Sequence, residues 1–167
     1  IERLLHLALV EHRQGLEERV AVPLRSLVAE LLQAQAPRLA SAQLEVENLL
    51  DADQALLGER FLLRQALANL LDNALDFTPV GGQLRWTAQA HGEQLEVCLF
   101  NTAAPIADYA LPRLTERFYS LPRPKTGRKS TGLGLNFVQE VASLHGGTLQ
   151  VSNVPGGVAV CLRLPRA

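Results

Sequence analysis

A Gly-x-Gly step that opens an apolar helix constrains this chain more than any other feature. Thr131-Gly132-Leu133-Gly134-Leu135 stands between a basic stretch rich in proline and glycine, Pro122 to Ser130, and a helical pattern from Gly134 to His145. Backbone N–H groups are exposed at such a step, and the positive end of the helix dipole lies there too, which suits a phosphate. About sixty residues upstream, Asn69-Leu70-Leu71-Asp72-Asn73 places two amides four residues apart on one face of another helix. Asparagine is a poor helix former, so two of them in mid-helix need a reason. Together the signals suggest a nucleotide site assembled from two distant segments.

With 167 residues, 47% of them hydrophobic and 20% charged, the chain suits one globular domain with at most a small appendage. A net charge of −1 argues against a general nucleic-acid binder, and 5% aromatic residues do not furnish a base-stacking platform. No apolar run approaches the roughly 20 residues needed to span a bilayer. Cys98 and Cys161 are far apart, fall in strand-like runs and belong to no ligand cluster. Free, half-buried thiols are the expectation, with a disulfide as the alternative. There is no signal peptide and no initiator Met, and Ile1 falls in mid-pattern, so the chain reads as a fragment of something longer.

Hydrophobic periodicity orders the elements. Ile1, Leu4, Leu5 and Ala8 keep helical spacing, and Val20 to Val22 reads as a short extended piece. Pro23 suits the first turn of a helix that buries Leu24, Leu27, Val28, Leu31 and Leu32, and Pro37 is placed to kink or end it. Leu44 to Asn48 and Ala55 to Leu57 read as short strands. Glu59 to Phe77 is a strong helix with Leu63, Leu67, Leu70, Leu71 and Ala74 in its stripe. Leu84, Trp86 and Ala88, then Leu95, Val97 and Leu99, alternate about a His91-Gly92 link and predict a hairpin. A short helix is expected around Asp108 to Phe118, within otherwise irregular chain. Helix Gly134 to His145 and a hairpin closing around Pro155-Gly156-Gly157 complete a mixed α/β sandwich.

The polar constellations divide by chemistry. Asn69, Asn73, Asp72 and Asp76 present oxygens of the kind that hold Mg²⁺ together with phosphates and waters, although a solvated helix face has the same composition. Arg123, Lys125, Arg128 and Lys129 precede the Gly-x-Gly, as a basic lid would, and equally as a solvated loop would. Arg117-Phe118-Tyr119 reads as an aromatic anchor for that loop. His6, His12, His91 and His145 have no catalytic setting and are read as structural or surface residues.

In this order the pieces resemble the ATP-binding catalytic domain of sensor histidine kinases, a Bergerat-type fold shared with DNA gyrase B, the large heat-shock chaperone ATPases and the MutL repair proteins. Asn69 to Pro79 looks like the N box, Glu116-Arg117-Phe118-Tyr119 like the F box, and Thr131 to Leu135 like the G2 box. The runs Asp72 to Pro79 and Arg117 to Arg123 are similar to CreC-type sensor kinases. The resemblance implies an α/β two-layer sandwich, with a mixed sheet of about five strands and about three helices on one face. Residues 1–15 would then be the C-terminal part of the second dimerisation helix, without the phosphoacceptor histidine, and residues 16–167 the catalytic ATP-binding domain.

The resemblance further implies a protein histidine kinase that uses ATP and Mg²⁺. It would pass the γ-phosphoryl to a histidine of the dimerisation domain for relay to a response regulator. Asn73 would ligate Mg²⁺, Asn69 would support the metal or phosphate side, and Phe118 and Tyr119 would anchor the lid. Thr131, Gly132, Leu133, Gly134 and Leu135 would form the phosphate cradle, with Arg123, Lys125, Arg128 or Lys129 near the γ-phosphate. The full-length protein would be a homodimer through its dimerisation helices, and this chain the cytoplasmic portion of a bacterial inner-membrane sensor, reaching the membrane only through other segments. No nucleic-acid partner is implied.

The departures from the pattern are local. Asn101-Thr102-Ala103-Ala104-Pro105 stands where the family reads Asp-x-Gly-x-Gly, so an uncharged amide replaces the carboxylate that holds adenine, and both glycines are gone. Asp76 stands at the usual lysine, and Thr115 at the first F-box phenylalanine. These changes favour an alternative, a regulatory, phosphatase-biased or pseudokinase module with weak nucleotide binding. Another ATPase of the same fold is a third reading, disfavoured by the leading helix.

Overall fold

Alternating apolar residues put one face of a sheet against amphipathic helices, and chain order fixes which strands meet. The computed structural model describes residue 13, residues 15–116, 119, 121–122 and 134–167. The elements are β1 (Val20–Pro23), α1 (Leu24–Ala34), α2 (Ala36–Ser41), β2 (Glu45–Asn48), β3 (Ala55–Gly58), α3 (Arg60–Phe77), β4 (Gln83–His91), β5 (Gln94–Thr102), α4 (Gly134–Leu144), β6 (Thr148–Val154) and β7 (Gly157–Pro165). Five strands form a mixed sheet in the order β2-β4-β5-β7-β6, in which only β2 and β4 pair in parallel. β1 and β3 make a separate antiparallel pair.

Leu84 and Trp86 of β4, Leu95, Val97 and Leu99 of β5, and Val158, Val160, Leu162 and Leu164 of β7 are buried under the helices. α1 contributes Leu24, Leu27, Val28 and Leu31, and α4 contributes Phe137, Val138, Val141 and Ala142. The stripe of α3 is wider than its sequence suggests. It adds Leu62, Ala66 and Leu75 to the expected set, because α1, α4 and β5 all pack against this helix. The result is the expected two-layer sandwich with the helices on one face of a mixed five-stranded sheet.

Three local expectations are corrected. Pro37 does not kink a long helix: α1 stops at Ala34, and α2 starts anew with Pro37 in its first turn, where a missing N–H costs nothing. No α-helix forms between Asp108 and Glu116. Tight turns replace it, with bonds from Ala110 N to Ala107 O (2.9 Å) and Arg113 N to Ala110 O (3.0 Å), and a single 3₁₀ turn at Leu111–Arg113 that holds Pro112. Phe118, the end of that expected helix, lies outside the described residues, as do residues 1–12 of the expected N-terminal helix.

The third correction concerns the cysteines. Strand pairing places Cys98 directly opposite Cys161 in the β5–β7 register, with Cα atoms 4.1 Å apart, and the two are joined as a disulfide rather than free. Both alternate out of the core, between Val97 and Leu99 on β5 and between Val160 and Leu162 on β7. Reduction should therefore lower the free energy of unfolding by up to about 4 kcal/mol, the chain-entropy value for a loop of 63 residues. A denaturant midpoint that falls with dithiothreitol, and falls equally in Cys98→Ser without it, checks this. A midpoint indifferent to reductant would refute it.

Candidate nucleotide site

The site depends on how two helices are set side by side. His145, directly after α4, is 3% exposed. Its Nδ1 donates to Val141 O (2.7 Å), and its Nε2 accepts from the backbone N–H of Glu59 (3.2 Å). A Cβ at Gly58 would lie 2.3 Å from the His145 ring, so glycine is what lets the strand approach. The end of α4 is thereby fastened to the start of α3, and the two helices pack on each other, so they run antiparallel. Gly134 lies eleven residues before His145 (145 − 134), a rise of about 16 Å. Eleven residues beyond Glu59 is residue 70 (59 + 11). The glycine step is thus level with the turn of α3 that carries Asn69 and Asn73.

Both asparagines are half-buried on α3. The Nδ2 of Asn69 is buried and lacks a hydrogen-bond partner among the described residues. An orphaned buried donor costs about 1–3 kcal/mol and persists in native proteins mainly where something else completes it. Gly134 and Leu135 begin α4, with Leu135 packed on the core. Asp72 and Asp76 are held from outside α3: Arg38 of α2 donates from Nη1 to Asp72 Oδ1 (2.7 Å) and from Nη2 to Asp76 Oδ1 (2.5 Å).

Asn101, the next-to-last residue of β5, is buried between Leu84 and Val158 of the neighbouring strands. Its Nδ2 donates to Thr102 O (3.2 Å), and β7 closes over its carbonyl, where a Cβ at Gly157 would come within 2.1 Å. The following loop lacks the expected glycines but is clamped. Asn153 of β6 donates through Nδ2 to Ile106 O and accepts through Oδ1 from Ile106 N–H, both at 2.8 Å. Asn136, in the first turn of α4, donates to Thr115 O (2.8 Å), tying the two arms that flank the expected lid. Tyr119 lies under the Arg113 guanidinium, 4.4 Å from ring centroid to carbon.

The packing of α4 on α3 therefore sets Gly134 and Leu135 level with the turn that carries Asn69 and Asn73, and α3 also packs against β5, which carries Asn101. Phe118, Arg123, Lys125, Arg128, Lys129, Thr131, Gly132 and Leu133 lie outside the described residues. Arg38, Asn136 and Asn153 were missed by sequence reasoning. Each acts across the fold on a partner 21 to 47 residues away, and periodicity carries no signal for that.

Against known proteins, residues 58–167 match the model of the histidine kinase-, DNA gyrase B- and HSP90-like ATPases. The chain belongs to that family. It is 42% identical to the sensor protein CreC of Escherichia coli K12 over 99% of this chain, but spans only 35% of that protein's length. Its fold superposes on the catalytic domain of histidine kinase ThkA with a TM-score of 0.80, at 21% identity, covering 89% of this chain and 95% of that one. It also superposes on full-length ShkA, solved with AMPPNP, with a TM-score of 0.82 at 24% identity, covering 99% of this chain and 35% of ShkA. This ATPase domain is thus of the sensor-histidine-kinase type.

The junction that sets the helices titrates. Burial first, and the nearby Arg19 and Arg13 charges after it, push His145 below its usual 6.5, against the opposing hydrogen bond to Val141 and the charge of Glu59. The hydrogen bond from Arg13 holds Glu59 below the usual carboxylate value of 4.5, aided by the Glu17 N–H (2.5 Å). A base depressed on folding takes up its proton more readily when unfolded, so its stabilisation is complete above about 6.5 and is lost as pH falls from there toward the folded value. The Glu59 contribution is complete above 4.5 and goes at lower pH. Denaturant midpoints should therefore fall below pH 6.5. His145→Phe, which leaves the Glu59 N–H unpaired, should cost about 1–3 kcal/mol at pH 8 and flatten the first of these two declines. A decline unchanged in that variant would assign it to other groups.

Proposed function

We propose that this chain is the catalytic domain of a membrane sensor histidine kinase. It binds Mg²⁺-ATP and passes the γ-phosphoryl to a histidine on dimerisation helices for relay to a response regulator. The observation that carries the reading is the orphaned Nδ2 of Asn69, buried on α3 level with the N-terminus of α4. An amide donor in that place fits a phosphate oxygen, and the first N–H groups of α4 and its dipole favour the same charge.

The donor set also suits the metal. Among the described residues no three His, Cys, Asp or Glu side chains form a metal cage. Mg²⁺ would rest on the Asn73 amide oxygen and complete its shell with phosphate and water oxygens, as is common where it binds with a polyphosphate. When bound, it supplies charge neutralisation across the phosphates. The protein's own contribution is positional. Asn69 donates to phosphate, Gly134 and Leu135 open the anion-binding helix, and Asn101 accepts from the adenine amino group. Tyr119 with Phe118 would anchor a lid from which Arg123, Lys125, Arg128 or Lys129 would meet the γ-phosphate, and Thr131, Gly132 and Leu133 would complete the cradle.

ThkA has been solved in complex with the response regulator TrrA, which supports a relay partner of that class here. No described helix is long and apolar enough to cross a membrane. The inner-membrane location, the homodimer and the assignment of residues 1–15 to a dimerisation helix belong to this proposal. The altered Asn101 to Pro105 run favours a second reading, a regulatory module that keeps the fold and binds nucleotide feebly.

Calorimetric titration with ADP and a non-hydrolysable ATP analogue, with and without Mg²⁺, separates the two. Micromolar, Mg²⁺-dependent binding supports the kinase domain. No heat up to millimolar nucleotide supports the regulatory module. Asn73→Ala should abolish Mg²⁺-dependent binding and leave the unfolding midpoint within a few degrees of the parent. Retained binding would remove Asn73 from the site.

A further inference from the structure

We infer that Arg38 is a positioning residue for nucleotide binding: its guanidinium fork ties up Asp72 and Asp76 and keeps their two negative charges from opposing the polyphosphate. The inference rests on the proposed nucleotide site at Asn69 and Asn73. Its basis is where the carboxylates stand. Asp72 immediately precedes Asn73. Asp76 is seven residues beyond Asn69 and so within about 20° of it around the helix, one turn past Asn73. Two carboxylates therefore border the amide pair on the same side of α3. Unscreened, they would repel a ligand that remains anionic even with Mg²⁺ bound.

Arg38 comes from a separate element and meets both groups. Nη1 bonds Asp72 Oδ1 at 2.7 Å and Nη2 bonds Asp76 Oδ1 at 2.5 Å. The side chains are 40%, 29% and 26% exposed, so the pairing is too wet to contribute much to stability. Its effect on a neighbouring multivalent anion is a different matter, because every phosphate charge interacts with the local net charge. Among these three groups alone, the guanidinium offsets one of the two carboxylate charges. A fork that spans two carboxylates is arginine geometry, which a lysine cannot reproduce. α2 holds Arg38 in place: its short helix ends in the bonds Ala42 N to Arg38 O and Leu44 N to Leu39 O, both 3.1 Å, before β2 joins the sheet.

The test measures Mg²⁺-ADP affinity by calorimetry for the parent chain, Arg38→Gln, Arg38→Lys, Asp76→Asn and the double variant Arg38→Gln/Asp76→Asn, at low and high salt. Arg38→Gln should weaken binding about tenfold at 50 mM salt and much less at 500 mM. Arg38→Lys should fall between it and the parent. Adding Asp76→Asn to Arg38→Gln should restore most of the loss, which a misplaced α2 would not allow. Asp76→Asn alone keeps the arginine and should tighten binding, so the inference stays testable even where Arg38→Gln folds poorly. Parent-like affinity in Arg38→Gln, or no rescue by Asp76→Asn, overturns the inference and leaves the nucleotide site standing. A parent chain that binds no Mg²⁺-ADP overturns the site itself, and the inference with it.

Discussion

A single buried imidazole sets the geometry on which the rest depends. His145 is held at both nitrogens by backbone, through Val141 O on its own helix and the Glu59 N–H at the head of α3. Each bond is modest in isolation, but breaking either strands a buried polar group, and that penalty is what fixes the contact. The ring is seated against Gly58, so β3, α3 and α4 share one junction. Sliding α4 by one residue would move it about 1.5 Å along α3 and break the seat. The far ends of the helices are registered from this end, and Gly134 is thereby set level with Asn69 and Asn73. The same junction continues outward. The Glu59 carboxylate accepts from Arg13 and from the Glu17 N–H, so the segment leading into β1 is gathered to the point that registers the helices.

The periodic parts of this architecture were legible in the sequence. Leu84, Trp86, Leu95, Val97 and Leu99 alternate because one sheet face is buried, and Phe137, Val138, Val141 and Ala142 recur because one helix face is. Where a residue's partner lies across the fold, the sequence carried little. For Cys98 and Cys161 free thiols were the expectation and a disulfide the alternative, and the pairing of β5 with β7, in a register that sets them opposite each other, decides for the disulfide. Arg38 and Asn153 carried no signal, because the groups they bond lie 34 and 47 residues away in the chain. The turns between Asp108 and Glu116 were misread as helix because the segment has helix-forming residues and only one proline. Pro112 sits in the first turn of the 3₁₀ helix, where its missing N–H is tolerated, and the i→i+3 bonds continue past it to Glu116. An α-helix through Asp108 to Glu116 would need the N–H that Pro112 lacks.

Of the candidate site, Asn69, Asn73 and Gly134 stood out in the sequence, whereas what shapes the loop after Asn101 did not. Asn69, Asn73 and Gly134 could be named because an amide in a helix and a glycine before one are both locally costly and need explaining. At Asn101 to Pro105 the local signal had changed, and only the fold shows what holds the loop. Asn153 supplies a donor and an acceptor to Ile106, as a neighbouring strand would. A loop that would otherwise draw its shape from two glycines draws it from a side-chain clamp instead.

The two halves of the proposed site are carried by different elements, and that separation bears on the proposed function. The phosphate side rests on the α3–α4 pair and on His145. The adenine side rests on the ends of β5 and β7 and on the Asn153 clamp. A change at Asn101 can therefore weaken base recognition without disturbing the amide pair or the glycine step. Replacing a carboxylate acceptor by an amide exchanges a charge-assisted hydrogen bond for a neutral one, a difference of about 1 kcal/mol. That is somewhat less than tenfold in affinity, a loss that a phosphate side with Mg²⁺ and a helix N-terminus can absorb. Asn101 is buried with its own Nδ2 already bonded to Thr102 O, which leaves the amide oxygen as the acceptor it can offer. On the proposed reading, the exchange at this position weakens the contact with the adenine amino group without removing it.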